Sequence, residues 1–172
     1  MSAAPITTRA ALGNDLERIF EIYNHEVLHQ TSTFETEPRD QDSDRGWLSE
    51  RESRYPVVVA ERGGRVVGWG SLSPWSPRGA YGRTAEVSVY VDRTARGSGI
   101  GGLLLSELIE RAPSGGISVL LARIAGENPA SMALHQRLGF ELIGIQRRSG
   151  EKRGRLLDVA LMDLHLDRGA GE

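Results

Sequence analysis

The chain has 172 residues, 39% hydrophobic and 26% charged, which is the make-up of an ordinary globule, read here as one domain over 1–172. A formal net charge of -2 excludes the basic surface of a general nucleic-acid binder, and the lack of cysteine excludes disulfides, thiolate metal ligands and a Cys nucleophile. No apolar run approaches the ~18 residues that span a bilayer, and the first residues carry no signal-peptide pattern, so a cytoplasmic protein with neither membrane nor nucleic-acid partner is expected.

In chain order, Ile6 to Arg9 is a short first strand. Asn14 or Asp15 can cap a helix whose apolar residues Leu16, Ile19, Phe20, Tyr23 and Val27 recur at helical spacing. After a polar segment from Gln30 to Pro38, a second helix is predicted from about Asp42 to Arg54, ended by Pro56. Val57 to Ala60 and Val66 to Leu72 are strands joined by the Gly63-Gly64 turn. Ser73 to Arg83 is a loop, and Thr84 to Val91 the next strand. A helix from Ile100 to Arg111 is expected to turn Leu103, Leu104, Leu108 and Ile109 inward. Ile117 to Ile124 is a strand, and Asn128 caps a helix ending near Gly139. Phe140 to Ile145 and Leu156 to Leu166 are closing strands, joined by a polar turn from Arg147 to Arg155. The order is β-α-α-β-β-β-α-β-α-β-β.

Two readings compete for the stretch Arg96 to Gly102, RGSGIGG. A dinucleotide fingerprint needs its first glycine tight against the end of a strand and an acidic residue about 20 positions later. Asp92 to Arg96 intervene here, and the next strand, ISVLLARI, holds no acid. A Walker loop lacks its Gly-Lys-Ser/Thr. The better reading is a loop in which Gly97, Gly99 and Gly101 let backbone amides close on a pyrophosphate, with the positive end of the following helix and Arg96 behind them. A flexible glycine turn with a solvated arginine is the bland alternative.

VSVYVDRTARGSGIG, Val87 to Gly101, resembles the GNAT superfamily of N-acetyltransferases: an apolar strand, Arg-x-x-Gly-x-Gly, then an amphipathic helix. Asn128-Pro129-Ala130-Ser131, Leu134-His135 and Leu138-Gly139-Phe140 resemble its second signature. IYNHEV, TSTFETEP, RYPVVVAE and AEVSVYV are similar to segments of phosphinothricin and methionine-sulfoximine acetyltransferases. The resemblance implies an α/β (α+β) fold, with a central mixed, twisted sheet of about six to seven strands flanked by about four helices. It further implies an enzyme, acetyl-CoA as co-substrate, no metal, a homodimer, and a small amine acceptor of the amino-acid-analogue class.

Residue by residue, the resemblance puts the pyrophosphate on Arg96, Gly97, Ser98, Gly99, Ile100 and Gly101, and the pantetheine arm along Val89, Tyr90 and Val91. It makes Glu86 the base that deprotonates the acceptor. His135 is either a proton donor to the leaving thiolate or a structural histidine. Asn128 and Ser131 either contact the cofactor or serve only as helix cap and first-turn residue. Arg78 is the expected carboxylate clamp, with Phe34, Trp75 and Tyr81 as pocket walls; core packing and a solvated loop charge are the alternatives. The run RRSGEKRGR reads as a solvated hairpin or a phosphate contact. Polyamine or protein N-terminal acetylation, and a non-catalytic acetyl-CoA-binding module, stand as alternative functions.

Overall fold

The computed structural model describes residues 4–40, 42 and 44–166. Among them, seven strands are found: β1 (Ile6–Ala10), β2 (Val57–Arg62), β3 (Arg65–Pro74), β4 (Thr84–Val91), β5 (Val119–Ala125), β6 (Glu141–Lys152) and β7 (Arg155–His165). They form one sheet in the order β1-β2-β3-β4-β5-β7-β6, antiparallel except for the β4–β5 pair. Four α-helices accompany it: α1 (Leu16–His29), α2 (Gly46–Ser49), α3 (Ile100–Arg111) and α4 (Pro129–Arg137). No helix among the described residues is long and apolar enough to cross a membrane.

The strand period of two sorts the core into two layers. Val57 and Val59 join Trp69 under α1, while Val58 and Ala60 face α3. On the α1 side, Leu16, Ile19, Phe20, Tyr23 and Val27 are all buried, as their spacing predicts. On the other side, α3 buries Ile100, Leu104, Leu105 and Leu108. Leu103, expected inward, is instead 44% exposed, because the buried stripe passes through Leu105 rather than Leu103. The helix sits unusually close to the sheet. A Cβ on Gly68 would lie 2.9 Å from Ile100 Cγ2, and one on Gly70 would lie 2.9 Å from Leu108 Cδ1.

Three other expectations are corrected. No side chain caps α1; Asp15 instead accepts from the Leu12 amide at 2.8 Å and from Arg9 Nη1 at 2.7 Å, which fixes the short 3-10 turn before the helix. The helix predicted from Asp42 to Arg54 is a single turn, Gly46–Ser49. One turn already packs Trp47 and Leu48 against the α1 layer. Arg51 then turns back, with its guanidinium 5.0 Å from the Trp47 ring centre and hydrogen bonds to the Tyr55 and Leu72 carbonyls. The polar turn expected from Arg147 to Arg155 is mostly strand, closed only by Arg153 (φ 55°) and Gly154 (φ 70°). The long hairpin persists because its tip has a docking partner. Lys152 is buried and donates from Nζ to the Thr33 carbonyl at 2.7 Å. The Phe34 ring lies so close over Gly150 that a Cβ there would be 2.2 Å from Cε2. A register shift between Gln146 and Gly150, with Arg148 at φ 51°, lets the strand bend toward that contact.

The feature that positions the site is a failure of pairing. β4 and β5 pair only at Thr84–Glu86 with Val119–Leu121. Both strands continue, β4 to Val91 and β5 to Ala125, but they part as they go.

Candidate active site

Beyond the point of parting, β4 runs into the glycine loop. Asp92 Oδ1 accepts from the Thr94 amide at 2.8 Å and from Thr94 Oγ1 at 2.7 Å, which starts a 3-10 turn over Arg93–Ala95. That turn fills the gap that a dinucleotide loop cannot have. Gly97 (φ 75°) and Gly99 (φ 81°) take left-handed conformations that only glycine adopts without strain. No atom lies within 4 Å of where either Cβ would stand, so the loop is open on that side. Gly99 is the N-cap of α3 and no side chain caps that terminus. The first amides of α3 and the positive end of its dipole are therefore available to an anion. Gly101 serves packing: a Cβ there would be 3.1 Å from Leu134 Cδ2, so α3 and α4 meet closely.

A cleft of about 540 Å³ opens over this loop. Its walls are Val89, Tyr90 and Val91 of β4, Arg96, Gly97 and Gly99 to Gly102 of the loop and α3 start, and Asn128, Ser131, Leu134 and His135 on the α4 side. The end of α1 contributes Glu26, followed by Gln30, Thr31 and Ser32. A smaller hollow of about 70 Å³ continues into the wedge between the diverging strands, bounded by Val87 to Tyr90 and Ala122 to Ala125. Asn128, Ser131 and His135 border both spaces.

Glu86 stands at the last paired position of the wedge. Arg123 binds both of its carboxylate oxygens, with Nε to Oε1 at 2.8 Å and Nη2 to Oε2. The same guanidinium lies 5.2 Å from the Trp75 ring centre. Glu86 holds the Arg123 guanidinium more firmly protonated than usual, chiefly through that hydrogen bonding. His135 is 6% exposed and packs edge-on against Phe140 at 5.0 Å. Its Nδ1 lies 2.8 Å from the Ser131 carbonyl, and a carbonyl can only accept, so Nδ1 carries the hydrogen. Burial pushes its pKa below the ordinary 6.5. The ring is thus neutral at pH 7, with Nε2 as a proton acceptor.

The model of the acetyltransferase (GNAT) family matches residues 16–140. This chain belongs to the GNAT family of acetyltransferases. It is 41% identical over 155 residues to the L-methionine sulfoximine/L-methionine sulfone acetyltransferase of Pseudomonas aeruginosa, covering 89% of this chain and 90% of that one. A protein from Salmonella typhimurium, solved with its cofactor acetyl-CoA, superposes with a TM-score of 0.92 at 39% identity over 96% of both chains. A phosphinothricin acetyltransferase from Sinorhizobium meliloti, in complex with acetyl-CoA, superposes at 0.90 and is 40% identical, over 96% of this chain and 90% of that one.

In this acetyltransferase the cleft gathers most of the residues singled out in the sequence. Val89, Tyr90, Val91, Arg96, Gly97, Gly99, Ile100, Gly101, Asn128, Ser131 and His135 all line it. Ser98 does not; its hydroxyl donates to the Ala95 carbonyl at 2.5 Å and braces the loop. Asn128 is occupied as a cap, accepting from the Ser131 amide at 3.1 Å. Trp75 joins Glu86 through Arg123, whereas Arg78 and Tyr81 are exposed, and Phe34 lies on the hairpin tip. Sequence reasoning missed Arg123 and Glu26. Each left a signal: Arg123 is the lone charge in an apolar strand, and Glu26 is a carboxylate on the buried stripe of α1.

Proposed function

We propose that the protein transfers the acetyl group of acetyl-CoA to the free amino group of a small amino acid or amino-acid analogue, by direct attack in a ternary complex. Methionine sulfoximine, methionine sulfone and phosphinothricin are the leading acceptors, because relatives at about 40% identity are named for them. The observation that carries the reading is the continuity of the site. Open loop amides and Arg96 lie at one end, an unpaired stretch of β4 in the middle, and at the point of the wedge Arg123, which holds the Glu86 carboxylate. Those residues fit a long ligand that ends in a diphosphate. The cysteine-free chain suits a cytoplasmic setting.

The bound co-substrate supplies an activated acyl thioester. The amides of Gly97 to Gly101 and the α3 dipole hold its anionic end, and the free edge of β4 pairs with its amide-bearing arm. Glu86, fixed by Arg123, takes the first proton from the acceptor ammonium and leaves the amine lone pair free to attack. After attack the nitrogen still carries one hydrogen too many. His135 accepts it at Nε2 and delivers it to the sulfur as the carbon–sulfur bond breaks. The balance is one proton to solvent through Glu86 and one to the thiol through His135. Holding amine and thioester together in a cleft of this size supplies much of the acceleration. In this reading Arg78, which is exposed, is the carboxylate clamp, and Phe34, Trp75 and Tyr81 wall the acceptor side.

A homodimer belongs to the same reading. Leu142, Ile143 and Ile145 on the outermost strand are each 47–55% exposed and offer apolar side chains to a second copy. The enzyme reading is tested by following thiol release from acetyl-CoA with a panel of methionine sulfoximine, methionine sulfone, phosphinothricin, spermidine and an N-terminal peptide. Turnover with the amino-acid analogues is expected. Turnover confined to spermidine or the peptide would overturn the acceptor class, and none with any acceptor would overturn the activity.

A further inference from the structure

The cation assigned to the pyrophosphate is already bound to a carboxylate in this structure. Arg96 Nη2 donates to Glu26 Oε1, and Arg96 Nε lies 3.3 Å from the Val91 carbonyl. Glu26 is 5% exposed, although it lines the cleft. Its other oxygen accepts from Ser32 Oγ at 2.6 Å, and His25 Nδ1 stands 3.4 Å from Oε1. A carboxylate removed from water needs each of these donors. Arg96, by contrast, is roughly half exposed and has further N–H groups to offer. Any diphosphate on the glycine loop therefore shares Arg96 with Glu26 or draws it away, and in either case it faces a second negative charge nearby.

We propose that Glu26 is a counter-charge in the donor site, a specificity-setting residue that weakens the loop's hold on the pyrophosphate of coenzyme A. The inference rests on the reading that Arg96 to Gly101 hold that group. It assigns Glu26 two connections. Through Arg96 it competes with the diphosphate. Through Ser32 it is tied to the segment after α1, where Tyr23 Oη and Thr33 Oγ1 are 3.2 Å apart and Lys152 holds the Thr33 carbonyl. The diphosphate and the walls of the cleft thus act on one buried carboxylate. A tight grip on the nucleotide end binds donor and product equally. A counter-charge loosens both and speeds departure of the free thiol product.

Titration calorimetry with acetyl-CoA and with S-acetylpantetheine, which has no diphosphate, separates the contributions. Glu26→Gln keeps the side-chain shape and removes the charge. It is expected to bind acetyl-CoA about three- to tenfold more tightly than the unaltered chain, with S-acetylpantetheine unchanged. Ser32→Ala strips one donor from Glu26 and makes it lean harder on Arg96. It should shift acetyl-CoA affinity the other way, by about two- to threefold, again with S-acetylpantetheine unchanged. Weaker or unaltered acetyl-CoA binding in Glu26→Gln, or an equal gain for both ligands, overturns the counter-charge. Arg96→Ala distinguishes the underlying reading. If that variant binds acetyl-CoA as well as the unaltered chain does, the loop assignment itself has failed.

Discussion

A carboxylate held at both oxygens by a guanidinium is fixed in place before any acceptor arrives. Glu86 is such a group, and Arg123 is in turn laid over Trp75. The pairing makes Glu86 a poor candidate for a purely structural residue: the Arg123 side chain is about half exposed, and ion pairs of that kind add little stability. Glu86→Gln is therefore expected to lower kcat by about 100-fold or more while the melting temperature and acetyl-CoA affinity hold. Steady-state kinetics beside a thermal melt checks it, and an unchanged kcat removes Glu86 from the proton path. His135 supplies a second test. Its pKa is depressed in the fold by burial, so the unfolded chain binds the extra proton first as pH falls. Its contribution to stability is complete above the ordinary 6.5 and is lost as pH drops from there toward the lower folded value. Denaturant titrations between pH 7.5 and 5 should show that loss in the unaltered chain and a smaller one in His135→Gln. Glu86 and His135 were legible as candidates, by residue type and by the positions they hold in the resemblance. Their partners were not: Arg123 is 37 positions from Glu86, and Arg96 is 70 from Glu26. Contacts at that separation exist only once the sheet is assembled.

Among the elements, those that satisfy their own chemistry locally were the readable ones. The apolar run of β2, the stripe of α1 and the glycines before α3 each state a conformation in the residues themselves. Gly99 is the sharpest case. At φ 81° it starts α3, and Gly99→Ala is expected to cost about 1–2 kcal/mol, seen as a lower midpoint in denaturant, together with weakened acetyl-CoA binding. An unaltered midpoint would show that the turn relaxes to another shape. The elements that were misread depend on distant partners. Trp47, Leu48 and Arg51 have helical spacing, yet one turn already satisfies their packing on α1 and Trp69. The arginine-rich stretch after Gln146 has the composition of a loop. It is held as strand because Lys152 and Gly150 reach the segment carrying Thr33 and Phe34. Only the assembled molecule contains that information.

At the scale of the whole molecule, the sheet has β1 and β6 as its outer strands, and they are unlike. The β6 side carries Leu142, Ile143 and Ile145 in the open. Unpaired apolar strands are commonly covered. The unaltered chain is expected to run as a dimer in light scattering, and Ile143→Glu to run as a monomer. A monomer from the unaltered chain at micromolar concentration would overturn the homodimer.

The parting of β4 from β5 gives the sheet a third edge, in its interior. Backbone groups of residues 88–91 that turn away from β3 have no strand opposite them, although the pairing of β4 with β3 is complete on the other side. In the free enzyme these amides should trade hydrogen for deuterium within seconds, amid neighbours that resist for hours, and a bound thioester should slow them as an eighth strand would. The centre of the protein, and not its rim, would then be the region that breathes most when empty and least when loaded.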